Sequence, residues 1–197
     1  MTAESAIARR CAARWRRLRA DQGGAAALEF ALVSLPFITL FLSILQISLV
    51  YWVGQNLEDS LQRGARTLYT GTFQGDTRTQ KDASTLLTNL RTKICSRGVA
   101  FDCNNLKLDV SVSTSFAGGA VPTALDTRTG TWISGFGTKY TCANPGAIVA
   151  VTAALKFPVA FTFLNAGASA FSDGSRLIQS TYVMRVEPYD VSSGSAC

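Results

Sequence analysis

An α+β fold is predicted. One long N-terminal helix begins in a membrane and continues into a small outer domain, which a second helix and an antiparallel sheet of about three strands complete. Three observations predict it. Residues 30–53 run for 24 positions without a formal charge. The helical spacing of apolar residues then continues past Val53 as far as Leu68. Beyond Gly98 the apolar period changes from three-and-four to two.

The uncharged run comes first. As a helix it rises about 1.5 Å per residue and spans about 36 Å, enough to cross a hydrocarbon core of about 30 Å with some tilt. The residues before it set its direction. Residues 1–24 hold six arginines (Arg9, Arg10, Arg14, Arg16, Arg17 and Arg19) against Glu4 and Asp21, a net +4. After Val53 there are 13 basic and 10 acidic side chains, and Glu29 accounts for the rest of the chain's +6. A basic excess placed directly before a span keeps that end in the cytoplasm. Arginines in this setting orient a helix, and no nucleic-acid partner is expected of them. Arg9-Arg10 lacks the remainder of a twin-arginine signal, since Cys11-Ala12-Ala13 follow. A cleaved secretory signal has a shorter apolar region and small residues at its cut. Here Gly54-Gln55-Asn56-Leu57 follow the run, so the span is retained.

Within the span, Pro36 removes one backbone donor and favours a kink. Ser34, Thr39, Ser43, Gln46 and Ser48 suit helix–helix contact in lipid. Each hydroxyl can equally bond back to its own helix. Past the span, Val53, Leu57, Leu61, Ala65 and Leu68 form one stripe, with Glu58, Asp59, Gln62, Arg63 and Arg66 on other faces. One helix is therefore predicted over residues 25–69, ended by glycine and polar residues at 71–76. A second helix is predicted over 79–96, burying Ala83, Leu86, Leu87, Leu90 and Ile94, and closed by Gly98.

Strands follow. Residues 106–113 alternate apolar and polar positions, as a half-buried strand does. Residues 118–139, rich in Gly and Thr with scattered Trp132, Ile133 and Phe136, read as a long loop. A second strand covers 147–157, and the last covers 176–186 before Glu187-Pro188. Between them residues 158–167 are apolar and aromatic: Phe161, Phe163 and Leu164 could cover the sheet, or meet a partner or the membrane surface, and core cover is favoured. The expected organisation is a basic leader (1–24), a spine helix (25–70) and an outer α+β domain (71–197).

Five cysteines divide across the span. Cys11 lies on the leader side. Cys95, Cys103, Cys142 and Cys197 lie beyond the span, an even number in a compartment that permits disulfides. Of the three possible pairings, Cys95–Cys103 with Cys142–Cys197 is favoured, the first closing a short loop and the second tying down the chain end.

The chain contains no histidine. That removes Ser-His-Asp and Cys-His nucleophile systems, a histidine general base and most zinc sites. Neither GxxxxGK[ST] nor GxGxxG occurs. No enzyme activity, metal or cofactor is expected.

Gly24-Ala25-Ala26-Ala27-Leu28-Glu29-Phe30, preceded by an arginine-rich leader, resembles the processing motif of type IV prepilins. The run "AAALEFAL", the long body and the terminal "STYVMRVEP" resemble the TadE-like pseudopilins of the tight adherence (Tad/Flp) branch. Phe30 stands where that family often has Tyr, and keeps the aromatic ring. The resemblance implies a pilin-like fold and cleavage between Gly24 and Ala25 by a prepilin peptidase on the cytoplasmic face. It also implies a place in the inner membrane, and a role for a minor pilin in initiating or assembling a pilus with other pilin subunits. A carboxylate at the edge of lipid is costly unless paired. Cleavage would free an amine at Ala25, and Glu29 of one subunit could neutralise the Ala25 amine of its neighbour as helices stack. The bland alternative for Glu29 is a headgroup-level acid favoured by the helix dipole. The alternative for the whole chain is an unprocessed, membrane-anchored periplasmic domain that binds a partner protein or surface polymer.

Overall fold

The computed structural model describes residues 24–77, 82–113, 115–116, 123–161 and 171–189. Contacts divide the chain into two units, Met1–Leu45 and Gln46–Cys197. Three α-helices occur among the described residues: α1 (Ala25–Tyr69), α2 (Thr72–Asp76) and α3 (Ala83–Ile94). The strands are β1 (Lys107–Ser113), β2 (Leu125–Asp126), β3 (Thr131–Trp132), β4 (Ile148–Phe157) and β5 (Arg176–Arg185).

In the first unit the described residues belong to the start of α1. Its apolar side chains face outward, with Leu28, Leu32, Leu35 and Leu40 all more than 60 % exposed. The helix continues through Pro36. The hydroxyls turn inward to their own backbone: Ser34 donates to Ala31 O at 3.2 Å, Thr39 to Leu35 O at 2.8 Å and Ser43 to Thr39 O at 2.7 Å. Back-bonding of this kind lets a hydroxyl face lipid without a partner helix. This is the one helix in the described chain long and apolar enough to cross a membrane.

The second unit is built on the later part of the same helix. Val53, Leu57, Leu61, Ala65 and Leu68 are buried, as their spacing predicts, and Ser60 and Gly64 lie among them. Gly64 lets α3 approach closely, since a Cβ there would sit 3.2 Å from the Ile94 backbone Cα. Gly71 ends α1 at φ 73°, the left-handed conformation that glycine adopts without a Cβ penalty. The ring of Tyr189 lies against it, leaving no room for a side chain. The segment after Gly71 differs from the expected plain terminator. It forms the short helix α2, because Phe73 is fully buried and pulls the turn onto the core.

The second helix is shorter than predicted. It starts after Asp82, whose side chain accepts from Thr85 N and so caps the first turn. Hydrogen bonds from Ser84 and Thr85 hold the Asp82 carboxyl below its ordinary range. Leu86, Leu87, Leu90 and Ile94 are buried as expected, while Thr79 lies outside the described residues.

The three main strands form an antiparallel sheet in the order β1-β4-β5. Val110 opposes Val151, and Thr152 opposes Thr181 with their hydroxyls 3.2 Å apart. The buried face packs Leu108, Val110, Val149, Val151, Ala153, Leu155 and Ile178 with the stripe of α1 and the apolar face of α3. The outer edge of β1 is covered. Val110 N donates to Lys139 O and its carbonyl accepts from Thr141 N, both at 2.9 Å. The buried Asp109 carboxylate accepts from Gly137 N at 2.9 Å and Lys139 N at 3.1 Å.

The stretch at 118–139 is not a plain loop. Its described part holds the hairpin β2-β3 and a small second core, in which Trp132 and Phe136 pack with Ala124, Ala154 and Leu177. Trp132 stacks on Phe136 at 5.9 Å and meets Phe171 at 4.8 Å. Aromatic residues too widely spaced to read as a strand are thus a covering layer. Phe163 and Leu164, also expected to cover the sheet, lie outside the described residues.

Cys95 and Cys103 are bonded, as predicted, across eight positions of sequence. Cys142 is also in a disulfide, and Cys197, the partner expected for it, lies outside the described residues, as does Cys11. A loop this short lowers the entropy of the unfolded chain by about 2.5 kcal/mol on the chain-entropy account. Cys103→Ser is therefore expected to lower the thermal midpoint of the oxidised protein, and to leave that of the fully reduced protein nearly unchanged. Calorimetry with and without reductant checks this.

Candidate functional site

The sequence motif maps onto the start of α1. Gly24 forms a tight turn directly before the helix, and Ala25 is the first helical residue. Three consecutive alanines then favour helix strongly, and Leu28 follows as another good former. Gly24 is the weak point in this stretch. It is exposed, and a Cβ built on it would meet nothing within 4 Å. An unpacked glycine at a helix margin is backbone that another molecule can grip in an extended form.

Glu29 lies one turn into the helix, four positions after Ala25. No acidic residue falls within the first turn itself. The dipole contribution fades after that turn. Spacing of i to i+4 places Ala25 and Glu29 on one face of the helix. Among the described residues Glu29 has no hydrogen-bond or ion-pair partner, and Phe30 beside it is 74 % exposed. The site is a glycine, a helix-forming run and a carboxylate one turn in, followed by apolar surface. It contains no nucleophile with a base.

One residue assigned by sequence to contact between helices in lipid is used differently. Gln46 bonds within its own chain: Phe161 N donates to its Oε1 at 2.8 Å, and its Nε2 donates to Phe161 O at 3.2 Å. The partner is 115 positions away. No local pattern reports a bond of that range, which is why sequence reasoning misplaced Gln46. The disulfide candidates Cys95, Cys103 and Cys142 belong to the second unit and serve its architecture. Among the described residues, no three of Cys, Asp and Glu are grouped as a metal would require.

No curated protein and no solved structure matches the chain. Residues 24–66, from the exposed glycine to the last turn of α1, match the family described as TadE-like protein, the family whose motif the sequence resembles.

Proposed function

We propose that the protein is a membrane-anchored pseudopilin, or minor pilin, that takes part in initiating or assembling a Tad/Flp-type pilus. The observation that carries this reading is the family match, which begins at Gly24 and follows α1 through its apolar and amphipathic parts. The arginine leader supports an orientation with residues 1–24 in the cytoplasm, the apolar first part of α1 in the inner membrane, and its later part with residues 71–197 outside. A prepilin peptidase cuts between Gly24 and Ala25. The exposed, unpacked glycine supports its access.

The new amine at Ala25 is a cation at the edge of lipid, and Glu29 is an anion one turn deeper. Each is costly alone and far less so as a pair. Stacking of one subunit on its neighbour brings the amine of one to the carboxylate of the other, so assembly itself neutralises both charges. In this role the protein performs no chemistry of its own. It contributes a spine helix, a docking charge and an outer domain.

Intact mass of the membrane-extracted protein, from cells carrying the peptidase, tests the first step. The expected chain begins at Ala25; a chain still beginning at Met1 sinks the processing claim and favours the unprocessed anchored domain. Glu29→Ala is expected to be extracted from membranes in normal amount yet to lose co-purification with other pilin subunits. Intact pilus formation in that variant rules out the docking role.

A further inference from the structure

We infer that residues 158–161, after β4, seat in the membrane surface beside α1, with Gln46 holding them there. The inference rests on the reading of α1 as a membrane span, and it adds a second membrane contact made by the outer domain itself.

The geometry begins with Gln46. It lies seven residues before Val53, where the helix enters the protein core, and so about 10 Å back into the uncharged run. A glutamine amide at that level needs both its donor and its acceptor satisfied. The backbone of Phe161 supplies both, at 2.8 and 3.2 Å. The arrangement works equally in reverse. Phe161 is in irregular backbone, and such backbone is tolerated near lipid only where protein satisfies its polar groups. Gln46 meets that requirement at Phe161. Pro158 has no N–H to satisfy at all.

The surface around the clamp is apolar. Pro158 and Ala160 are exposed, and Val159 and Phe161 are half-buried. On the helix, Ile47, Leu49, Tyr51 and Trp52 are between 53 and 69 % exposed. Tyr and Trp side chains favour the headgroup level. With Tyr51 and Trp52 at that level, Gln46 and Phe161 lie about 8 Å deeper along the helix. The nearest flanking charges are Lys156 and Asp173, which pair with each other at 2.6 Å. Hydrogen bonds from Lys156 and Ser175 hold the Asp173 carboxyl well below its ordinary range. No charge lies between them in sequence. The occupant this surface fits is lipid, because the exposed Ile47, Leu49, Tyr51 and Trp52 beside the clamp belong to the apolar helix that the proposed function places in the membrane.

Depth-dependent quenching in vesicles tests the inference. The full chain is reconstituted into phosphatidylethanolamine–phosphatidylglycerol vesicles whose acyl chains carry bromine near the headgroup. Three single-tryptophan versions are compared: Phe161→Trp with Trp15, Trp52 and Trp132 changed to Phe, and versions keeping Trp52 alone or Trp132 alone. The expected result is quenching at position 161 comparable with that at Trp52, and little at Trp132. Gln46→Ala should weaken the signal at 161 and leave that of Trp52 unchanged. If Phe161→Trp does not fold, Val159→Trp reports on the same segment. Quenching at Trp52 with none at 161 overturns the inference and leaves the span standing. Quenching at neither position overturns the span, and the inference with it. A signal at 161 that ignores brominated lipid but changes as the protein is diluted in the membrane puts a second copy on this surface instead, and also overturns it.

Discussion

Gly64→Val is expected to destabilise the second unit strongly and to lower its melting temperature. Gly64 lies on the buried stripe of α1, where α3 crosses it, and a Cβ at that position collides with the Ile94 side chain. The far end of a flexible side chain could yield. Here the Ile94 Cα is also only 3.2 Å away and its Cβ 3.3 Å, so the backbone of α3 must move. Ile94 is itself 1 % exposed, and the same short helix buries Leu86, Leu87 and Leu90. Moving α3 therefore disturbs the main core along its length. Overpacking typically costs about 1–3 kcal/mol, and more where backbone must move, a large share of an ordinary domain's total of about 5–15 kcal/mol. Circular dichroism melting of the detergent-solubilised chain checks it. Gly64→Ala, smaller but still clashing, should lie between wild type and the valine variant. A valine variant that melts with the wild type would show that the two helices can separate freely.

The second large effect sets two leucines of one helix against each other. Leu61 is fully buried in the main core, while Leu40 is 62 % exposed. Leu61→Ala removes packing that the surrounding sheet and helices cannot refill, at a cost of about 2–5 kcal/mol. Leu40→Ala leaves no cavity in the outer domain and should alter its melting by less than about 0.5 kcal/mol. The contrast tests whether α1 is at once anchor and core element. Equal effects would contradict that division. Hydrogen exchange gives an independent reading, since Leu61→Ala should speed exchange in β4 and Leu40→Ala should not.

The spine helix was legible in the sequence because its determinants are local. Charge-free length defines the apolar run, and residues three and four apart define the stripe from Val53 to Leu68, which is the buried set the fold uses. The strands were legible for the same reason, and the predicted ends fall within one or two residues of β1, β4 and β5. The TadE-like match covers the stretch from Gly24 to Glu29, whose spacing lies along one helix; the roles assigned to those residues are proposals.

Where the sequence reading failed, the missing information was long-range. Phe73 makes α2 a helix only because a core is present to receive it. Trp132 and Phe136 form a covering layer only because Ala154 and Leu177 bring the sheet beneath them.

By itself, then, the sequence determined the uncharged apolar run of α1, its buried stripe, the three strands and the Cys95–Cys103 bond. Each follows from periodicity or short separation, which a linear pattern records. Only the tertiary structure decided that Gln46 clamps Phe161, that Asp109 holds the segment at 137–139 to the sheet edge, and that Gly64 is the crossing point of two helices. Those contacts join residues 28 to 115 positions apart. Their energy comes from satisfying buried polar groups and filling space, terms that do not exist until the chain has folded.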